Sequence, residues 1–183
     1  MHLIGICGKK GSGKDTAGTA LIGQGYHQIA FAGALKAMTA SLFKYLNLDP
    51  DTADKMIYGD LKEMPVPELC GKSTRYAMQT LGTEWGRLCI DKDLWINIAI
   101  QKAQQFGKAV ITDVRYPNEA KAIQDAGGII VRIYRKNGDI DDYHPSEIEL
   151  DSIDGDHTIY NDSTLDILRK KIQNIAQEYE RRN

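Results

Sequence analysis

Residues 1–16 read MHLIGICGKKGSGKDT, and this opening stretch decides the fold. Residues 2–7 form a short apolar run that is typical of a buried strand. The next seven residues, Gly8 to Lys14, match the pattern G-x-x-x-x-G-K. In this pattern backbone N–H groups turn inward around phosphate oxygens and the lysine reaches the outer phosphates. Small and apolar residues suited to a helix follow up to Ile22, so the stretch predicts a strand, a phosphate loop and a helix.

Strand and helix patterns alternate along the rest of the chain. This alternation predicts an α/β fold of the P-loop type, with a parallel sheet covered by helices on both faces. We expect one domain over residues 1–183, with a core at about 1–32 and 107–183, an insertion at about 33–106 and a lid at about 132–150. Strands are predicted at 27–32, 109–113, 129–134 and 157–160, and helices at 34–46, 73–84, 93–106, after Pro117 and from Ser163. The stretch 49–71 is expected to be irregular or partly helical.

Helical spacing also predicts which side chains form the buried face of each helix. The predicted face of helix 34–46 consists of Leu35, Met38, Leu42 and Leu46. That of helix 93–106 consists of Trp95, Ile98, Ala99 and Phe106, and that of the last helix of Leu165, Leu168, Ile172, Ile175 and Tyr179.

Composition excludes several classes of protein. The formal net charge is −2, whereas a protein that binds nucleic acid over a large surface normally has a basic excess. No apolar run approaches the length of a membrane span, and the first residues lack the cationic region of a signal peptide. The 3 cysteines are odd in number and far apart, so they form neither a disulfide framework nor a zinc pattern. We therefore expect a cytoplasmic protein that binds neither nucleic acid nor membrane.

The glycine loop supplies the candidate nucleotide site. Its expected binding residues are Gly8, Lys10, Gly11, Ser12, Gly13, Lys14, Asp15 and Thr16. The position after the loop lysine is normally Ser or Thr, whose hydroxyl holds Mg²⁺, but here it is Asp15. Either the Asp15 carboxylate or the Thr16 hydroxyl can hold the metal, since Mg²⁺ accepts both kinds of oxygen. We favour Asp15, although a carboxylate there can also simply complement the helix dipole.

A second carboxylate, Asp113, ends a predicted strand at the same edge of the sheet as the loop. It can hold Mg²⁺ through water or position the group that accepts a phosphoryl group. Arg115 has the planar fork that binds phosphate, although a salt bridge between Asp113 and Arg115 is the structural alternative. Phosphoryl transfer also needs cations around the transferred group. Further candidates are Lys36, Arg75, Arg87 and Arg132, with Lys14, Arg115, Arg132 and Asp113 as the catalytic set.

The segment QTLGTEWGR, residues 79–87, is unusual for a plain helix because two glycines and a tryptophan interrupt it. We interpret it as a binding loop in which Trp85 stacks on a base while Gln79 and Glu84 bond to the edge of that base. The alternative is a core tryptophan packed beneath the insertion. His144-Pro-Ser-Glu147 is interpreted as a turn that anchors the lid.

Five blocks of the sequence resemble bacteriophage deoxynucleoside monophosphate kinases, and the resemblance extends over nearly the whole chain. The blocks are GKKGSGKDT (8–16), FAGALK (31–36), QTLGTEWGR (79–87), TDVRYPNE (112–119) and HPSE (144–147). The loop is shared by many kinases, whereas the third and fourth blocks are more selective. The family's own loop also has Asp after the lysine.

The resemblance implies ATP and Mg²⁺ as donor and cofactor, and a deoxynucleoside monophosphate (dNMP) as the acceptor that becomes a diphosphate. It places Arg87 and Arg115 near the acceptor phosphate, gives the insertion the acceptor-binding role, and implies a phage-encoded enzyme of the host cytoplasm. Dephospho-coenzyme A kinases, phosphomevalonate kinases and non-catalytic nucleotide-binding modules are the alternatives. The sequence leaves open a homodimer and the choice of base.

Overall fold

The structure is a computed structural model that describes residues 1–135, 150 and 152–182. The chain divides into two compact units, of which the first comprises Met1–Phe31 with Ala99–Asn183 and the second comprises Ala32–Ile98. The predicted lid anchor, His144 to Glu147, lies outside the described residues, as does most of the predicted lid. No helix of the described part of the chain is long and apolar enough to span a membrane.

The described residues form seven strands, seven α-helices, a π-helix and two short 3₁₀ helices. In chain order they are β1 (His2–Cys7), α1 (Lys14–Ile22), β2 (His27–Ile29), α2 (Gly33–Tyr45), α3 (Pro50–Ile57), a 3₁₀ turn (Asp60–Glu63), β3 (Pro65–Val66), a 3₁₀ turn (Pro67–Leu69), β4 (Lys72–Ser73), α4 (Thr74–Thr80), the π-helix (Leu81–Ile90), α5 (Leu94–Gln104), β5 (Lys108–Val114), α6 (Pro117–Asp125), β6 (Ile129–Tyr134), β7 (His157–Tyr160) and α7 (Leu165–Arg182).

The first unit contains a five-stranded sheet in the order β2-β5-β1-β6-β7. All four pairings are parallel, as the alternation of strands and helices predicted. Strand β1 lies at the centre, with Cys7 paired to Val114 of β5 on one side and to Arg132 of β6 on the other. The glycine loop that follows β1 therefore begins between the carboxyl ends of two neighbouring strands, where ligands of parallel sheets bind.

Both faces of this sheet are buried, which explains the nearly uninterrupted apolar run of β1. On one face Ile4, Ile6 and Ile133 pack with α1 and α7 in a continuous core. On the other face Ile123 of α6 lies so close to Gly5 that a Cβ there would come within 2.7 Å of its Cδ1 atom. These contacts confirm a P-loop α/β fold with helices on both sides of a parallel sheet.

The second unit is mainly helical. Its strands β3 and β4 form a two-stranded antiparallel hairpin, and α3 begins at an Asp49 cap whose carboxylate accepts the Thr52 N–H at 2.9 Å. A hydrogen bond from the Thr52 hydroxyl at 2.7 Å, followed by the bond from this N–H, lowers the pKa of Asp49. The expected mixture of helical and irregular structure over 49–71 is confirmed.

The buried face of α2 differs from the predicted one. Met38 and Leu42 are exposed, while Thr39 and Phe43 are buried. Burial of a threonine is tolerated here because its hydroxyl donates to the Leu35 carbonyl at 2.9 Å. The predicted faces were also wrong at two positions of other helices, Ile98 in α5 and Leu165 in α7, which are exposed.

Residues 79–87, which we expected to form a loop, are helical: Gln79 and Thr80 end α4, and a ten-residue π-helix continues it without a break. In such a helix each backbone carbonyl accepts from the N–H five residues later. The Gly86 carbonyl, for example, accepts from the Asp91 N–H at 3.0 Å. The glycines that suggested a loop, Gly82 and Gly86, are both buried. π-Helices are rare, appear mostly as single turns inside α-helices, and are frequent at functional sites.

Candidate functional site

The glycine loop connects β1 to α1 and adopts backbone angles that favour glycine. Gly11 has φ 74° and Gly13 has φ 106°, both in the left-handed region where other residues are strained. At Gly8 a side chain would collide with the Ile133 carbonyl and would place its Cβ 2.7 Å from the Ser12 hydroxyl. The loop is therefore held close to β6 at Gly8 and leaves no room for a side chain there.

Lys14, the first residue of α1, folds back over this loop. Its Nζ atom donates to the Gly8 carbonyl and, at 2.8 Å, to the Lys9 carbonyl. Burial raises the pKa of the neighbouring Cys7 thiol to about 11, while the positive charges of Arg132 and Lys14 act in the opposite direction. Two cations thus lie near the carboxyl end of β1, where a phosphate group needs them.

Ser12 has the feature expected of an anion site. Its side chain is 2% exposed, and its Oγ atom has no hydrogen-bond partner among the described residues. A buried hydroxyl without a partner is costly, and a phosphate oxygen is one group that removes the cost. The glycine backbone, the hydroxyl and the lysine together fit a polyphosphate.

The other predicted nucleotide ligands lie on the outer side of the loop and the first turn of α1. Lys10 and Gly11 are exposed, as is Asp15, while Thr16 is half-buried. The Asp15 carbonyl accepts the Thr19 hydroxyl at 2.9 Å within the helix. The carboxylate of Asp15 and the hydroxyl of Thr16 thus both remain candidates for Mg²⁺.

Asp113 lies at the end of β5, one strand away from the loop. Its Oδ1 atom accepts the Phe31 N–H at 3.0 Å, which connects β5 to the residues that follow β2. Arg115 is exposed, and its backbone N–H donates to the Glu119 carboxylate at 2.8 Å. Glu119 is 3% exposed and also accepts the Tyr116 N–H at 3.2 Å, so it holds the turn that carries Arg115.

Arg132 lies in β6 at the position paired with Cys7. It is half-buried, and its guanidinium donates to the Ile153 carbonyl at 3.4 Å. In the first unit the structure thus brings Arg132 and Lys14 together at the glycine loop, with Asp113 on the adjacent strand.

The predicted acceptor residues all lie in the second unit apart from Asp113 and Arg115. Lys36 of α2 is half-buried and lies 5.0 Å from the centre of the Tyr58 ring. Arg75 forms an ion pair with Glu63, which gives it a structural role that its sequence position did not indicate. Gln79 is exposed on α4.

Three further predicted residues, Glu84, Trp85 and Arg87, are exposed on the π-helix. Trp85 is 43% exposed, whereas Trp95 of α5 is 4% exposed. The Trp95 indole N–H donates to the Gly82 carbonyl at 2.8 Å, and the two indole rings lie 6.0 Å apart. Trp95 is therefore the core tryptophan, and Trp85 is available to a ligand.

Sequence reasoning missed Glu119 and Asn161 as residues that shape these sites, whereas it placed Trp95 correctly on a buried helix face. Glu119 could have been found as the acidic residue of the first turn of a helix that begins at Pro117, a known cap pattern. Asn161 donates its amide to the Ser12 carbonyl at 2.8 Å, and its only signal is a polar residue directly after a predicted strand.

Comparison with known proteins gives consistent matches. The family model described as deoxynucleotide monophosphate kinase matches residues 68–172. A protein of Acanthamoeba polyphaga mimivirus, provisionally named deoxynucleotide monophosphate kinase, is 35% identical over 184 aligned residues that cover 91% of each chain. The deoxynucleotide monophosphate kinase of Enterobacteria phage T4 is 30% identical over 57% of this chain and 46% of its own length.

The protein of the same name from Escherichia phage RB69 is 29% identical over 57% of this chain and 45% of its own. Among solved structures, TT1252 from Thermus thermophilus superposes with a TM-score of 0.52 at 14% identity, covering 96% of both chains. At that identity the likeness concerns the fold alone, and it agrees with the sheet described above.

Proposed function

The chain belongs to the deoxynucleotide monophosphate kinase family, and on this premise we propose that it transfers the γ-phosphate of ATP to a dNMP, giving a dNDP and ADP. The observation that carries the proposal is the glycine loop between β1 and α1. It combines a buried Ser12 hydroxyl without a partner among the described residues with the Lys14 ammonium. The named relatives come from viruses, so we place the reaction in the cytoplasm of an infected cell.

The donor site comprises the loop amides, the Ser12 hydroxyl and the Lys14 ammonium. Lys14 now donates to the Gly8 and Lys9 carbonyls, which are weak acceptors compared with a phosphate oxygen. When a triphosphate enters, its oxygens replace these carbonyls as the acceptors of the lysine. The N-terminal end of α1 adds the partial positive charge of its unpaired N–H groups.

Asp15, Thr16 and Asp113 are the oxygen ligands that fit Mg²⁺ on this side of the unit. Mg²⁺ usually keeps several waters and takes one or two protein oxygens in addition to the phosphates. The described residues contain no cluster of three or more acidic, His or Cys ligands, and such a metal does not need one. When bound, it supplies positive charge to the phosphate oxygens.

We assign the binding of the acceptor's base to residues of the second unit. Trp85 offers an exposed indole face on which a base can stack, and stacking is independent of base identity. Arg87 on the same π-helix carries a planar cation that suits a phosphate. In the first unit Arg115 carries another such cation. Gln79 and Glu84 are exposed polar groups for the edge of the base, while Lys36 and Arg75 add positive charge.

In the proposed reaction an oxygen of the acceptor phosphate attacks the γ-phosphorus of ATP. The new P–O bond forms as the bond to the β-phosphate oxygen breaks, and ADP leaves. The attacking oxygen is already anionic, so no strong general base is required. Lys14, Arg115 and Arg132 contribute by position and charge, which is how phosphoryl transfer is generally catalysed.

The first test measures ADP release from ATP and Mg²⁺ with dTMP, dGMP, dCMP, dAMP and the ribonucleotides, one at a time. We expect strong turnover with at least one deoxynucleotide. A rate of ADP release that no nucleotide changes would overturn the assignment of a dNMP as the acceptor.

Replacing Lys14 by alanine provides the matching variant. We expect Lys14→Ala to lower kcat at least about a thousandfold, because the cation acts on the transferred phosphate. The matched control is Lys121→Ala, which removes an exposed lysine whose partner is Asp125 on α6, and it should keep full activity. Normal turnover in Lys14→Ala would contradict the assignment of the loop.

A further inference from the structure

Asn161 follows β7 and contacts the glycine loop from outside. Its backbone N–H donates to the Tyr134 carbonyl at 2.8 Å, and its side-chain amide donates to the Ser12 carbonyl at 2.8 Å. We propose that Asn161 is a positioning residue for the phosphate loop, because its amide fixes the direction of the peptide group that joins Ser12 to Gly13. The inference rests on the proposed nucleotide-binding role of this loop.

Peptide geometry gives the physical reason. A trans peptide is planar, and its C=O and N–H groups point in opposite directions. A Ser12 carbonyl held toward Asn161 therefore turns the Gly13 N–H to the other side of the chain. A phosphate loop needs its N–H groups directed at the ligand, so a hydrogen bond on the carbonyl side preorganises the amide on the ligand side.

Packing leaves this peptide little freedom to rotate. Asn161 is 8% exposed, so water competes weakly for its hydrogen bond. A Cβ on Gly13 would lie 2.7 Å from Leu168 and 2.8 Å from the Asn161 amide nitrogen. The loop thus rests directly against Asn161 and against α7.

A second contact holds the loop from the neighbouring strand. Arg135, which follows β6, donates to the Gly11 carbonyl at 3.3 Å. This contact is exposed, whereas the Asn161 contact is buried. We therefore assign the larger share of positioning to Asn161.

Two substitutions separate the hydrogen bond from the packing. Asn161→Leu keeps a side chain of similar shape against Leu168 but removes the donor. Asn161→Asp replaces the donor by an oxygen that repels the Ser12 carbonyl. The control, Asn174→Asp, makes the same change of charge at an exposed position of α7.

Calorimetry measures the affinity of each variant for inorganic tripolyphosphate and for ATP with Mg²⁺. Steady-state kinetics give the KM values for ATP and dNMP, and urea unfolding gives the midpoint of the stability transition. Tripolyphosphate probes the loop without a base. We expect its Kd to rise about fivefold in Asn161→Leu and at least about tenfold in Asn161→Asp, as loss of one buried hydrogen bond implies. The KM for ATP should rise in parallel, with the KM for dNMP and the control within about twofold of the unchanged protein.

An unchanged Kd in either folded variant would overturn the proposal, as would an equal rise in the Asn174→Asp control. Failure of both Asn161 variants to fold would make the residue structural and overturn it as well. If the unchanged protein binds ATP but transfers phosphate to no nucleotide, the proposed function fails while the Kd values still decide the role of Asn161. If turnover is normal and the Kd values are equal, only the role of Asn161 fails.

Discussion

The two units of the chain are built around different kinds of core. The first buries an aliphatic sheet on both faces, and its site consists largely of backbone groups in the glycine loop. The second places one indole, that of Trp95, beneath a π-helix and, apart from the half-buried Lys36, carries its candidate ligands as exposed side chains. In the first unit the backbone of the candidate site is therefore packed directly against neighbouring strands and helices, whereas on the π-helix the buried glycines and the exposed candidate side chains are different residues.

This difference has a consequence for how each unit tolerates change. A substitution near the glycine loop alters the direction of peptide groups and thus affects both binding and stability. On the π-helix the exposed side chains can be changed while the bond from the Trp95 indole to the Gly82 carbonyl keeps the helix in place. We therefore expect base preference to be more easily altered in the second unit than phosphate binding in the first.

The largest effect on stability is expected where the second unit is most tightly packed. A Cβ at Gly86 would lie 2.5–2.6 Å from three atoms of the Trp95 ring, which forces the indole to move. We expect Gly86→Ala to lower the free energy of unfolding by about 2 kcal/mol, since overpacking outweighs the gain in helix propensity. Urea unfolding followed by tryptophan fluorescence measures this unit directly, because both tryptophans of the chain lie in it.

Gly82→Ala is the matched control for this substitution. Its Cβ would lie 3.2 Å from the end of the Leu35 side chain, which can rotate away. Its stability should therefore stay within about 1 kcal/mol of the unchanged protein. Equal effects of the two alanines would show that Trp95 does not hold the π-helix.

The parts of the molecule that could be predicted from sequence depend on local patterns. Short stretches of residues predict the strand–loop–helix order around Gly8 and the carboxylate at the end of β5. The parallel sheet follows from the alternation of strand and helix patterns along the chain. The prediction of the buried face of α2 was wrong because the Thr39 hydroxyl donates to a carbonyl of its own helix and can therefore be buried. Spacing alone treats such a threonine as polar and exposed.

The features that could not be predicted depend on residues far apart in the chain. The π-helix is held by the Trp95 indole, which donates to the carbonyl of Gly82, 13 residues earlier in the chain. The glycines that leave room for this indole resemble those of a loop. The contact between Asn161 and Ser12 joins residues 149 positions apart. No pattern of spacing connects such residues before the fold is known.

A smaller effect, on binding alone, is expected from Trp85→Ala. Its indole is exposed, so its loss should change the free energy of unfolding by less than about 1 kcal/mol. If the proposed stacking occurs, the KM for dNMP rises about tenfold while the KM for ATP stays constant. Steady-state kinetics with each substrate varied in turn provide the measurement.

Leu88→Ala supplies the comparison for this variant, because Leu88 is 76% exposed on the same π-helix. It should leave both KM values unchanged. Trp85→Phe, which retains an aromatic face, should recover most of the affinity for dNMP. If Trp85→Ala leaves the KM for dNMP unchanged, Trp85 does not stack on the base of the acceptor.

The smallest effect concerns an ion pair that fastens α7 to the sheet of the first unit. The Glu180 carboxylate accepts from Lys108 at 2.7 Å and from the Tyr26 hydroxyl at 3.0 Å. The bond from Lys108, followed by that from Tyr26, lowers the pKa of Glu180 below its ordinary value of 4.5. Burial and the nearby carboxylate raise the pKa of Tyr26, so this hydroxyl remains protonated and continues to donate.

Folding lowers the pKa of Glu180, so the ionised carboxylate stabilises the folded protein. This stabilisation is complete above pH 4.5, the ordinary pKa of the group. It is lost as the pH falls through the lower pKa of the folded state. We expect Glu180→Gln to lower the free energy of unfolding by about 1 kcal/mol at neutral pH, and the difference from the unchanged protein to vanish in acid. Far-UV circular dichroism is the readout, since this unit contains no tryptophan. Glu178→Gln breaks the exposed pair with Arg182 and should cost less than about 0.5 kcal/mol. A difference that persists unchanged in acid would mean that Glu180 acts through packing and not through its charge.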